Sequence, residues 1–317
     1  MDWRKLIGVL AVIALIIGAG IVLFWLTGRN VYAVDVPITA SPTDCGSGTS
    51  GPNTGGPATR FAIIGDYGIA GQPEADVAAM VDRWQVDTIV TVGDNNYLDG
   101  AADTIDANIG QYYHAYIAPY QGSYGAGAEV NRFFPALGNH DWRTDEAAPY
   151  LAYFTLPGNE RYYTVRRGPV EFFILDSDEH EPDGITVDSV QAQWLRAQLA
   201  ASDAPWKLVI LHHTPYTSSL QRNSNRTLQW PFAEWGATAV IAGHDHFYER
   251  LEEEGIFYLV NGAGGKDLYP FGPPEAGSLV RYNQDHGAQL INATEQCLNL
   301  AFFSSANALI DSVTLRK

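Results

Sequence analysis

From residue 61 onward the chain alternates between two hydrophobic rhythms. Six short apolar runs rich in β-branched and aromatic residues have the length and composition of buried strands: FAIIGD (61–66), TIVTVGD (88–94), FFPALGN (133–139), FFILDS (172–177), KLVILHH (207–213) and TAVIAGH (238–244). Between some of them the spacing changes to a helical one. Segment 74–84 sets Val77, Val81 and Trp84 on one face, and 188–201 sets Val190, Trp194, Leu195 and Leu199 together. Strand–helix repetition predicts an α/β layered domain whose strands are covered on both sides. The later segments 257–265, 298–305 and 309–317 read as strands with no helices between them, the last two forming a hairpin through Ala306-Asn307-Ala308.

The rhythm at the N-terminus is different. Residues 6–26 form an uncharged apolar run, and at ~1.5 Å per helical residue it reaches about 31 Å, the thickness of a bilayer core. Arg4 and Lys5 precede it and Arg29 follows, which favours a cytoplasmic N-terminus and an exported remainder. Two readings stand: an uncleaved transmembrane anchor, which the length favours, or a signal peptide removed near Val31 and Ala33. Either one predicts a periplasmic or extracellular domain, membrane-anchored in the first case and secreted in the second. Residues 41–59, SPTDCGSGTSGPNTGGPAT, have the composition of a flexible tether. The expected organisation is therefore anchor or signal 1–27, linker 28–59 and folded domain 60–317.

Composition narrows the classes of function. Apolar residues make up 46%, enough for a sizeable core, and 19 Lys plus Arg stand against 36 Asp plus Glu, a net charge of −17. That balance excludes a protein built to grip nucleic-acid phosphates. Only Cys45 and Cys297 occur, which rules out a Cys-rich zinc module; in an oxidising compartment they are able to pair and staple the linker to the domain.

Chemistry concentrates where the strands stop. Five of the six early strands end in polar clusters: Gly65-Asp66, Gly93-Asp94, Gly138-Asn139-His140, His212-His213 and Gly243-His244. In α/β sheets ligands bind outside the carboxyl ends of the strands, so the five endings are placed to converge. Each alone is usually a turn or a structural histidine. Together Asp66, Asp94, Asn139, His212, His244 and His246 offer hard oxygen and borderline nitrogen donors and no thiolate, which suits two ions of Fe, Mn or Zn. Tyr97, three residues after Asp94, is within reach, and a phenol becomes a ligand beside a strong Lewis acid such as Fe(III). His114, His180 and His286 fall outside the pattern. His213, adjacent to His212 on a strand, is expected to point the opposite way and to be structural.

The blocks GDYG (65–68), GDNNY (93–97), GNHD (138–141), VILH (209–212) and GHDH (243–246) resemble, in order, those of the purple acid phosphatases within the calcineurin-like metallophosphoesterases. The likeness covers about residues 60–317 and omits the anchor and linker. It implies a four-layer α/β/β/α sandwich and hydrolysis of phosphate monoesters by a metal-bound hydroxide. It also implies that Asp66, Tyr97 and His246 hold Fe(III), that Asp94 bridges, and that Asn139, His212 and His244 hold a divalent Fe, Zn or Mn. His140 is then the expected proton donor to the leaving group, and Asn139 a contact to substrate. One departure is visible: related small enzymes often carry a histidine about ten residues past the position of His212, where this chain has YTSSLQRNSN (216–225). Arg222 lies near that place, either as a phosphate contact or as a solvated loop residue. The expected substrate is a small phosphoester. The rival readings are a phosphodiesterase or nucleotidase on the same site, and a metal-binding protein without catalysis.

Overall fold

A computed structural model describes Cys45 and residues 58–317; the apolar run 6–26 and nearly all of the linker lie outside the described residues. Among the described residues no helix is long and apolar enough to cross a membrane.

The predicted apolar runs become the parallel cores of two mixed sheets. In the first, β1 (Thr59–Ile64), β2 (Thr88–Thr91) and β3 (Phe133–Pro135) are parallel neighbours. Antiparallel β11 (Gly287–Ala293), β12 (Cys297–Ser304) and β13 (Leu309–Arg316) extend it, giving the order β13-β12-β11-β1-β2-β3. In the second, β5 (Val170–Ile174), β6 (Trp206–Ile210), β7 (Ala239–Ala242) and β9 (Ile256–Asn261) are parallel. Here β4 (Tyr163–Arg167), β8 (Tyr248–Glu253) and β10 (Ser278–Tyr282) are the antiparallel members, in the order β10-β8-β9-β7-β6-β5-β4.

Side-chain alternation along the strands explains the layering. Phe172, Ile174, Leu208 and Ile210 face the first sheet and share one core with Phe61 and Ile63; Phe61 meets Phe172 edge-to-face at 5.0 Å. The intervening Phe173, Val209 and Leu211 face outward and pack with Leu195 and Leu199 of a helix, Val190–Ala201. Ser189 caps that helix by accepting from the Ala192 N–H. Its Val190, expected on the buried face, is instead 59% exposed, because it occupies the first turn, beyond the surface on which the later turns pack. On the outer side of the first sheet lies helix Gln72–Trp84, which carries Pro73 in its first turn and ends at Gln85 in a left-handed conformation. Its Trp84 packs against Phe303 of β12 and donates to the Asn307 side chain. The domain is thus an α/β stack of two facing mixed sheets with helices outside.

Cys45 and Cys297 form a disulfide with Cα atoms 5.4 Å apart. The β1–β11–β12 register puts Cys297 beside the first residues of β1, the end of the strand opposite to Asp66.

Candidate metal centre

Because β1, β2 and β3 run parallel, as do β6 and β7, the residues following them emerge at one edge of the stack. The chain turns sharply there. Asp66, Asp94 and His244 all have positive φ, at 53°, 51° and 69°, a conformation unfavourable for residues with a Cβ and concentrated at functional sites. The glycines before them allow close approach: a Cβ on Gly93 would sit 2.6 Å from His212 Nδ1, and one on Gly243 2.6 Å from an Asp66 carboxylate oxygen.

Two groups of side chains result. In one, the Tyr97 hydroxyl lies 3.2 Å from Asp66 Oδ1 and 3.2 Å from His246 Nε2, and His246 Nε2 lies 3.4 Å from Asp66 Oδ1. In the other, His212 Nε2 lies 3.2 Å from Asn139 Oδ1 and 3.1 Å from His244 Nδ1. Asp94 stands between them and presents one oxygen to each. Its Oδ2 accepts from the Tyr97 hydroxyl at 2.9 Å, while its Oδ1 lies 3.4 Å from His212 Nε2 and accepts from the His140 backbone N–H. All seven residues expected as ligands therefore meet.

These residues fit a pair of metal ions. Ligand atoms of Asp66, Asp94 and His212 lie within 4.8 Å of one another. Both carboxylates are buried, and their ion-pair partners among the described residues are imidazoles. The imidazoles are oriented from behind: His212 Nδ1 bonds the Val92 carbonyl and His246 Nδ1 the Asp267 carbonyl, each at 2.8 Å, which turns Nε2 inward. This is how ligating histidines are normally fixed.

The electrostatics carry the same signature. Burial opposes ionisation of Asp94, but His212 outweighs it and holds the carboxyl well below its ordinary range. Burial likewise opposes protonation of His212, and the Asp94 charge reverses this, raising it to about 9. Burial pushes the Tyr97 phenol up, and the Asp94 and Asp66 charges push it further. A phenol in that position ionises only beside a strong Lewis acid.

His140 is half-buried. Its Nδ1 bonds the Leu98 carbonyl, its Nε2 lies 4.0 Å from Asp94 Oδ2, and its ring lies 4.4 Å from that of Tyr97. Arg222 reaches the centre: its guanidinium bonds His244 Nε2, donates to the Tyr269 hydroxyl at 3.4 Å, and lies 3.9 Å from Asp245 Oδ1. His213 departs from its expected direction. β6 ends at Ile210, so strand alternation no longer governs residue 213, and its ring lies 4.4 Å from that of His244 with Nδ1 on Ser177 Oγ.

Three supporting residues had no assigned role in the sequence. Asp141 accepts from Asn95 and from the Gly138 N–H, and burial followed by the Asp94 charge raises it to about 7. Its place in GNHD was the available signal. Tyr269 stacks on His246 at 4.0 Å and 19°, and Lys266 lies beside Tyr97; neither belongs to a block.

Comparison with known proteins agrees with this geometry. Residues 59–248 match the family model described as calcineurin-like phosphoesterase. The chain is 28% identical over 248 residues to tartrate-resistant acid phosphatase type 5 of Mus musculus, covering 66% of this chain and 73% of that protein. It is 27% identical over 238 residues to purple acid phosphatase 17 of Arabidopsis thaliana, covering 65% and 68%. A purple acid phosphatase from yellow lupin (Lupinus luteus) seeds shares the fold, with TM-score 0.66 and 18% identity over 82% of this chain. The chain spans about half of that enzyme's length, 54%. Since the family model covers more than half of its residues, the chain belongs to the calcineurin-like phosphoesterases.

Proposed function

We propose that this metal-dependent phosphoesterase is a dinuclear phosphate monoesterase of the acid phosphatase type. The observation that carries the reading is the Asp94 carboxylate, with one oxygen turned to the Asp66–Tyr97–His246 group and the other to the His212–Asn139–His244 group. Asp66, Tyr97 and His246 would hold Fe(III), Asn139, His212 and His244 would hold a divalent Fe, Zn or Mn, and Asp94 would serve both. When bound, such a pair polarises phosphoryl oxygens and lowers the pKa of water.

The chain's own residues do the rest. The Asn139 amide and the Arg222 guanidinium orient the phosphoryl group by hydrogen bonds. His140 donates a proton from Nε2 to the leaving oxygen as a water oxygen bonds to phosphorus and the ester P–O bond breaks. The names of the mouse and Arabidopsis relatives support acid phosphatase chemistry. The apolar run 6–26 and the Cys45–Cys297 disulfide support a membrane-anchored domain acting in an oxidising compartment outside the cytoplasm.

The test is direct. The metal-loaded full chain should hydrolyse a phosphate monoester faster than the matching diester. Asp94→Asn should retain fewer than two metals per chain by mass spectrometry and lose at least about 10²-fold in kcat. Dominant diester turnover would replace the monoesterase reading with a phosphodiesterase on the same site. Full activity in Asp94→Asn would remove the dinuclear reading.

A further inference from the structure

The Tyr97 hydroxyl is surrounded by negative charge, from Asp66 and Asp94. A single lysine is set against its ring. Lys266 Nζ lies 5.7 Å from the Tyr97 ring centroid, within range of a cation–π contact, and its side chain is only 20% exposed. The ion pair it makes with Asp267, at 3.3 Å, does not account for its place, because the Asp267 side chain is 92% exposed and such pairs hold little.

The backbone accounts for it. The Lys266 N–H donates to the Asp66 carbonyl at 2.9 Å, and the Lys266 carbonyl is bonded by His286 Nε2 at 3.1 Å. Two further bonds tie the following residues to the same site: the Asp267 carbonyl orients His246, and the Tyr269 N–H donates to the His246 carbonyl. The segment that carries Lys266 is therefore fastened to two residues of the Tyr97 group, which sets the base of the lysine side chain beside the ring.

We propose that Lys266 is a positioning residue for the metal centre: its ammonium, set over the Tyr97 ring, tunes the energy of phenolate-to-metal charge transfer. The inference rests on the dinuclear reading above. Its direction follows from the geometry. The ammonium lies over the ring, whereas the ligand atoms converge beyond the hydroxyl, so its charge lowers the energy of the phenolate donor more than that of the acceptor metal. Removing the charge should narrow the gap and move the band to longer wavelength.

The experiment compares visible spectra of the full chain loaded with Fe(III) and Zn(II) as wild type, K266M, K266Q, K266R and Y97F, with iron counted in each sample. The wild type should show a band that Y97F lacks. K266M and K266Q should shift that band to longer wavelength at unchanged iron content, and K266R should restore the wild-type position. A band unmoved in K266M and K266Q overturns the role of Lys266 while leaving the dinuclear reading intact. A raised KM with that unmoved band would make Lys266 a substrate contact instead. An iron-loaded wild type with no band sinks the phenolate assignment and this inference with it.

Discussion

In the proposed reaction His140 joins the metal centre to the leaving group through a short path. Its backbone N–H donates to Asp94 Oδ1, its Nδ1 is engaged by the Leu98 carbonyl, and Nε2 is the nitrogen left facing the centre. Replacing the side chain with alanine keeps the backbone bond, so His140→Ala should retain both metals. Its kcat on an alkyl phosphate should fall about 10²–10⁴-fold, the usual contribution of a general acid. The loss should be smaller on a nitrophenyl phosphate, whose leaving group departs without a proton. Burial lowers the His140 pKa, the nearby Asp94 charge only partly opposing it. The proton-bearing form is therefore depleted as pH rises through a value below the ordinary imidazole range, and the high-pH limb of wild-type kcat should lie there. Equal losses on both esters would show that His140 acts only by orienting its neighbours. At this scale the convergence of the seven candidate ligands was readable from sequence because each lies within a few residues of an apolar run, joined to a glycine or another polar donor. Tyr269 and Lys266 were not readable. They enter the centre from the stretch after β9, by stacking and by cation–ring contact, and neither interaction leaves a spacing in the sequence.

The elements divide the same way. Strands buried on both faces were visible as continuous apolar runs, and these supply every parallel strand of the two sheets. The strands that were missed carry mixed patterns. β10, SLVRY, has no fully buried residue, and β11, GAQLINA, interrupts its apolar positions with Gln289 and Asn292 although Gln289 is wholly buried. β4 and β8 mix buried with polar positions such as Arg166 and Glu252. Long-range antiparallel pairing, rather than local hydrophobicity, places these strands. The disulfide belongs to this level as well. It closes a sequence separation of 252 residues at the first residue of β12, while the metal centre lies past the far end of β1. Six strand residues at about 3.3 Å each separate the two by roughly 20 Å. Replacing both cysteines with serine should therefore cost about 2–5 kcal/mol of stability. By calorimetry that is a melting temperature lower by roughly 4–20 °C. The metal content and kcat below the transition should be unchanged. An altered visible spectrum in the double variant would show that the cross-link reaches the centre after all.

For the whole molecule the governing quantity is charge. The basic residues Arg4, Lys5 and Arg29 of segment 1–59 balance Asp2, Asp35 and Asp44, so the net −17 belongs entirely to residues 60–317. A domain so charged repels an anionic phosphoester at long range, and on the proposed function its site would hold the substrate by local cations: the two metals, with Arg222 at 3.9 Å from Asp245 and bonded to Tyr269. The two effects respond differently to salt. Long-range repulsion acts over a Debye length that shrinks from about 30 Å at 0.01 M to about 8 Å at 0.15 M, whereas contacts inside a partly buried site are screened far less. Adding an inert salt across that interval should therefore raise kcat/KM for a phosphate monoester, by up to about tenfold, and leave kcat nearly constant. An uncharged competitor for the same pocket should show no such rise. A fall in kcat/KM with salt would mean that the metals and Arg222 dominate the field at the mouth as well as at the centre, and that the acidic surface faces away from the path of entry.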